Sequence, residues 1–177
     1  LGSFCAELTD LLGMDRALPM NTGAEAVESA IKTARAWGYR VKKVPANEAI
    51  IIVARQNFHG RTTTIIAFSD DPVAKEDFGP YTPGFVAVDF GDIEALRQAL
   101  ENPNVVAFLV EPIQGEAGII VPPPGYLPAA AQACRNADVL FIADEIQSGL
   151  GRADTTLAVD AEHVQHDMML HGEALGG

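Results

Sequence analysis

Three short runs of unbroken apolar sequence, Ala49 to Ala54, Val105 to Val110 and Val139 to Ala143, constrain this chain more than any other feature. They are rich in Ile and Val and lack the polar alternation of a half-exposed strand, which is the pattern of parallel strands covered on both faces. Phe85 to Asp89 is a weaker strand candidate, and Met168 to Leu170 and Ala17 to Met20 are two further short ones. Helical spacing fills the intervals. Gly23 to Trp37 places Val27, Ala30, Ile31, Ala34 and Trp37 on one stripe. Asp92 to Leu100 and Tyr126 to Asn136 repeat the pattern, and Ser3 to Leu12 reads as the end of a preceding helix. Strands alternating with helices predict right-handed crossovers and an α/β fold with a mostly parallel sheet and flanking helices. Ligands of such sheets bind beyond the carboxyl ends of the strands. The long loops Pro72 to Pro83 and Pro112 to Pro124 belong to the same search, because loops of that length in a compact domain are often functional.

A chain of 177 residues suffices for one well-cored domain. Its net charge of −12 argues against nucleic acid and anionic membrane as partners, since both repel an acidic surface. No apolar run approaches the roughly 20 residues of a membrane span. Cys5 and Cys134 fall in separate predicted helices without metal-ligand spacing, so reduced thiols are expected. His163 and His166, flanked by Asp160, Glu162 and Asp167, read as a solvated loop rather than a metal site, and no metal is expected. The Leu1-Gly-Ser-Phe-Cys start lacks a basic region and an initiator Met and is not expected to be a signal peptide. With the Gly176-Gly177 end, it suggests a chain cut from a longer one.

Four stretches that follow predicted strands carry the candidate chemistry. In Asn21-Thr-Gly-Ala-Glu25, Thr22 and Glu25 have capping-box spacing, and Gly23 and Ala24 leave the first-turn amides uncovered. That start serves either as a plain cap or as a phosphate site, where free N–H groups and the helix dipole favour an anion. In Val139-Leu-Phe-Ile-Ala-Asp144-Glu-Ile-Gln147, strand alternation sends Asp144 and Ile146 to one face and Glu145 to the other. A carboxylate leaving an apolar strand needs a cation or several donors; a salt bridge meets that need, and so does a protonated heterocyclic nitrogen. Asn57-Phe-His-Gly-Arg-Thr62 offers Phe58 for the core or for stacking on a flat ring, His59 for loop hydrogen bonds, and Arg61 for a carboxylate. Glu111-Pro-Ile-Gln-Gly-Glu-Ala-Gly118 adds an acid at a strand end and a second, glycine-framed acid. No GxGxxG, P-loop or GxSxG motif competes, which leaves little room for an unrelated nucleotide-binding domain.

These strings, with Phe78-Gly-Pro-Tyr-Thr-Pro-Gly-Phe85 in the same order, resemble the class III, ornithine-type aminotransferases of fold type I. The likeness runs along essentially the whole chain. Pro19-Met-Asn-Thr-Gly-Ala-Glu-Ala-Val-Glu28 and Tyr81-Thr-Pro-Gly-Phe85 are similar to the ornithine branch rather than the acetylornithine or 4-aminobutyrate branches. The resemblance implies pyridoxal 5'-phosphate as cofactor and an incomplete large domain. The N-terminal segment, the rest of that domain and a small C-terminal domain would lie outside it. It implies that Gly23 and Ala24 hold the phosphate, that Phe58 and Ile146 cover the two faces of the ring, and that Asp144 pairs with the ring nitrogen. Gln147 would lie near the ring oxygen, Arg61 would hold a substrate carboxylate, and Glu116 would be a gating acid. The implied reaction moves the δ-amino group of ornithine to 2-oxoglutarate, giving glutamate semialdehyde and glutamate. The implied assembly is a homodimer, in the cytoplasm or alternatively the mitochondrial matrix.

One position departs. The family pattern reads Asp-Met, three residues, then Gly-Lys-Ala-Leu-Gly-Gly, and here Asp167-Met-Met-Leu-His-Gly-Glu173-Ala-Leu-Gly-Gly177 matches on both sides of the lysine. Glu173 therefore occupies the Schiff-base position. A carboxylate cannot form an imine, and it lacks the amine that moves a proton between substrate and cofactor. Lys32, Lys42, Lys43 and Lys75 fall on a helix or in loops and do not replace it. The chain is expected to be inactive as written, which leaves a non-catalytic binding module with the same pocket as the alternative.

Overall fold

The computed structural model describes residues 1–175, so the Gly176-Gly177 end of the last motif lies outside the described residues. Five strands form one sheet: β1 (Ile50–Ala54), β2 (Phe85–Val88), β3 (Val105–Val110), β4 (Leu140–Asp144) and β5 (Met168–Leu170). Every pairing is parallel, in the order β2-β1-β3-β4-β5. Five α-helices accompany them: α1 (Gly2–Leu12), α2 (Gly23–Trp37), α3 (Pro72–Lys75), α4 (Ile93–Leu100) and α5 (Tyr126–Asn136).

The sheet separates two cores, as the unalternating strands require. Ile51 and Val53 of β1 join Val106 and Leu109 of β3 against Val27, Ala30, Ile31 and Ala34 of α2. Ile52, Phe108 and Phe141 face the other way, against Leu96 and Leu100 of α4 and Leu127, Ala130 and Cys134 of α5. All six residues of β3 are buried, the mark of a central strand covered on both sides.

Several expectations shift. Ala17 to Met20 forms no strand; Pro19 has no N–H to give a ladder, and Leu18 is left 72% exposed. The loop beginning at Pro72 contains the single turn α3, started by Asp71, whose carboxylate accepts from the Val73 N–H. The polar stretch around His163 contains a 3-10 helix, Ala158–Glu162, with Ala158 and Val159 buried. Beyond Trp37 the helix does not stop at Gly38 but widens into a π-turn, Gly38–Lys42, and the left-handed residue is Lys43. Cys5 and Cys134 are both free thiols, and burial pushes the Cys134 pKa up to about 12. Among the described residues no helix is long and apolar enough to cross a membrane, and no cluster could hold a metal ion.

Candidate functional site

A cavity of about 1410 Å³ opens at the carboxyl ends of the strands. The start of α2, the loops after β1, β3 and β4, and the segment after β5 all contribute to its wall. Gly23, Ala24, Phe58, Asp144, Ile146, Gln147, Arg61, Glu116 and Glu173 all line it, so the structure brings the residues expected to hold cofactor or substrate to one space, while Glu25, Glu145, His163 and His166 lie outside it.

At the α2 start, Thr22 is the N-cap and its hydroxyl accepts from the Glu25 N–H at 3.1 Å. Glu25 reaches back past Thr22 and accepts from the Asn21 N–H at 2.7 Å. The Ala26 N–H closes the first helical turn on Thr22 O. Among the described residues the Gly23 and Ala24 N–H groups have no acceptor, so two donors at the positive end of a 15-residue helix face the cavity. This is a cradle for an anion.

Asp144 ends β4 and is only 4% exposed. Its Oδ2 lies 2.6 Å from His59 Nδ1, and its Oδ1 accepts from the Ile146 N–H at 3.1 Å. An ionised carboxylate has about four acceptor sites, so room remains on Asp144 for one more donor. Burial opposes charge on His59, but the hydrogen bond and charge of Asp144, with the charge of Glu111, outweigh it and raise the His59 pKa. His59 Nε2 is buried without a partner. Glu111 stands beside this pair and accepts from the Phe58 N–H at 3.0 Å. Burial first, then the nearby Asp144 and Glu116 charges, lift its pKa to about 7 against the pull of His59 and the Phe58 N–H. Asp144 and Ile146 both line the cavity as expected, although Ile146 stands in the turn beyond the end of β4. Glu145 points away, fully buried, accepting from Ser148 Oγ at 2.6 Å and the Val159 N–H at 2.9 Å.

The remaining lining is polar on one side. Gln147 Nε2 donates to Glu116 Oε1 at 3.3 Å. The Arg61 guanidinium lies over the Phe58 ring, 4.9 Å from its centroid. His171, between β5 and Glu173, has both ring nitrogens buried and unpartnered; burial, with His166 nearby, lowers its pKa to about 4 and keeps the ring neutral. No lysine lines the cavity among the described residues. Lys42 Nζ instead donates to three carbonyls, of Val105, Ala137 and Asp138, and Lys75 Nζ to that of Ala67.

The sequence marks Glu111 as an acid at a strand end without giving it a role, and it does not reveal His59 as the partner of Asp144 or His171 as a lining residue. The strand-end position of Glu111 was the one available signal. The free amides, the aromatic and the buried acid with a spare acceptor site fit a flat, phosphate-bearing ligand with a cationic ring nitrogen. Among the described residues no lysine lines the cavity to bond such a ligand covalently, and Glu173 lines it.

A parallel α/β sheet with this cavity at its carboxyl ends is the architecture of the fold-type I pyridoxal-phosphate transferases. The family description "Aminotransferase class-III" matches residues 1–177, and the chain belongs to that family. It is 54% identical over its full length to the ornithine aminotransferase of Bacillus subtilis, of which it covers 44%. It is 51% identical to the mitochondrial ornithine aminotransferase of Drosophila melanogaster, of which it covers 41%. The crystal structure of the ornithine aminotransferase from Toxoplasma gondii ME49 superposes on 95% of the chain with a TM-score of 0.94 and 49% identity, and 40% of that chain is covered. The chain thus spans about two fifths of the length of the relatives it matches. Pyridoxal phosphate is the cofactor of this family.

Proposed function

We propose that the protein carrying this chain is an ornithine aminotransferase in its binding site but not in its catalytic residue. The carrying observation is the convergence of Gly23, Phe58, Asp144 and Ile146 on one cavity at the strand ends. When bound, pyridoxal phosphate supplies an electron sink beside the substrate carbon that loses its proton. The Gly23 and Ala24 N–H groups hold the phosphate, and Phe58 and Ile146 cover the two ring faces. Asp144, oriented by His59 and the Ile146 N–H, keeps the ring nitrogen protonated. Gln147 sits by the ring oxygen, Arg61 holds a substrate carboxylate, and Glu116 gates the carboxylate site. The complete reaction on this reading takes the δ-amino group of ornithine to 2-oxoglutarate, with glutamate semialdehyde and glutamate as products.

Residues 1–177 make up part of the cofactor-binding large domain; the remaining length of the relatives supplies the N-terminal segment, the rest of that domain and a small C-terminal one. The assembly is a homodimer. Relatives from a bacterium and from a mitochondrion support either compartment, and we adopt the cytoplasm.

Glu173 favours the second half of the proposal, a site that binds without turning over. A carboxylate can accept a proton but cannot bond covalently to the cofactor, and general-base action alone contributes only about 10² to 10⁴-fold. The test compares the full-length protein with its Glu173→Lys variant. Borohydride should fix cofactor on residue 173 in the variant alone, and ornithine-dependent glutamate formation should rise by at least about 10²-fold. Equal activity in the two proteins would refute the assignment of residue 173.

A further inference from the structure

The backbone at Glu173 is anchored to the site, and its exposed side chain lines the cavity. The Glu173 N–H donates to Ile146 O at 3.2 Å. The Ile146 side chain fills two notches: a Cβ at Gly23 would lie 3.1 Å from Ile146 Cδ1, and one at Gly172 would lie 2.9 Å from Ile146 Cγ2. The start of α2, the end of β4 and the segment carrying Glu173 therefore form one packed unit around Ile146. Such packing transmits position, so the glutamate is registered against the amide cradle and Asp144. The described ion pairs include none to Glu173, and no lysine lines the cavity. Glu173 thus places a carboxylate in a ligand cavity whose lining arginines, Arg16 and Arg61, form no ion pair with it among the described contacts.

We infer that this cavity takes the amine form of the cofactor, pyridoxamine 5'-phosphate, in preference to the aldehyde form, without a covalent bond and with the ligand's ammonium group on Glu173. The inference rests on the cofactor site proposed above. In a pocket with a lysine the aldehyde is held largely by bonding to that amine; here no amine is offered, and a carboxylate faces a carbonyl oxygen with no hydrogen to donate. The aminomethyl group of the amine form behaves as an alkylammonium, positively charged at neutral pH and carrying three donors. It meets a carboxylate in a charge-assisted hydrogen bond. The ligand's two cationic groups then fall to two carboxylates, Asp144 and Glu173, and its phosphate to the amides of Gly23 and Ala24. Exchange of lysine for glutamate at this position thus reverses which form of one ligand fits.

The test titrates the full-length protein with pyridoxamine phosphate, following ligand fluorescence. Pyridoxal phosphate is measured by its ability to displace the bound amine form, so that aldehyde reacting with surface lysines does not count. At low salt the amine form should bind at least about tenfold more tightly, the scale of one charge-assisted hydrogen bond. Glu173→Gln should shrink that ratio to within about threefold, and Glu173→Lys should invert it. The inference is overturned if the aldehyde form binds the Glu173 protein as tightly as the amine form. It is equally overturned if the preference survives Glu173→Gln. If neither form binds saturably to the Glu173 protein or to Glu173→Lys, the cofactor site itself is wrong; binding to Glu173→Lys alone removes only the amine preference.

Discussion

His59 and Asp144 are buried together at 2.6 Å, and each is tolerable there because of the other. Removing one partner of such a pair strands the other charge, at a cost of about 3–5 kcal/mol. His59→Leu should therefore lower unfolding stability by that amount in urea titrations, and adding Asp144→Leu should recover much of the loss. A double variant no more stable than His59→Leu would show that the pair is not the source. The pH dependence has a definite sign. The folded His59 pKa is raised, so its contribution is complete below the ordinary value of 6.5 and is lost as pH rises through the folded value. Glu111 acts in the same direction by a different cause. Burial carries its pKa from 4.5 to about 7, so the folded state holds a proton the unfolded chain releases, and stability falls between those limits. At about 1.4 kcal/mol per pH unit this amounts to about 3 kcal/mol. Glu111→Gln keeps an acceptor for the Phe58 N–H and removes the charge. It should flatten the stability profile from pH 4.5 to 7 and stabilise the protein at pH 8 by up to that amount; an unchanged slope would count against a titrating Glu111.

Among the elements, β1, β3 and β4 were legible because a strand buried on both faces must be apolar at every position. Gly23 to Trp37 was legible because its stripe repeats at helical spacing and Thr22 caps it. Asp144 faces the cavity as strand alternation predicts, but β4 ends there, and Ile146 reaches the same cavity from the turn that follows rather than from the strand. The pairing of His59 with Asp144 was not legible, because 85 positions separate them and only the strand order β1-β3-β4 brings their strand ends to one cavity. Nor was the π-turn, since a glycine after a helical stripe reads as a stop signal. Gly38 continues the helix at φ −54°, and what requires glycine is proximity. A Cβ there would lie 2.3 Å from Val106 Cγ1 of β3. Gly38→Ala should gain helix propensity yet lose more to overpacking, a net cost of about 1–3 kcal/mol. The companion change Val106→Ala should make Gly38→Ala nearly neutral against its own background. Thermal melts of the four proteins in this cycle measure the coupling, and strictly additive losses would rule out the contact as the cause.

On the scale of the whole molecule, the apolar surface is unevenly distributed. α1 buries none of its residues, although Phe4, Leu8 and Leu12 line the cavity rim, and Leu11 and Leu18 stand 62% and 72% exposed. The folded body is instead the five-stranded sheet with α2 on one face and α4 and α5 on the other. Two different stabilities follow. For the isolated 177-residue chain, deleting residues 1–13 removes no fully buried side chain, only the half-buried Leu12 that packs against the α4–α5 core, and should lower the unfolding free energy by no more than about 2 kcal/mol. The deletion should also reduce binding of an apolar fluorescent dye, because it removes exposed Leu and Phe side chains. In the full-length protein, where α1 stands at the mouth of the proposed cofactor cavity, the same deletion should weaken cofactor binding even if the sheet stays folded. Urea titration of the isolated chain and cofactor titration of the full-length protein separate these effects. A loss of several kcal/mol in the isolated chain would mean that α1 belongs to the core after all. Undiminished cofactor affinity in the full-length protein would mean that the helix is not part of the cavity wall.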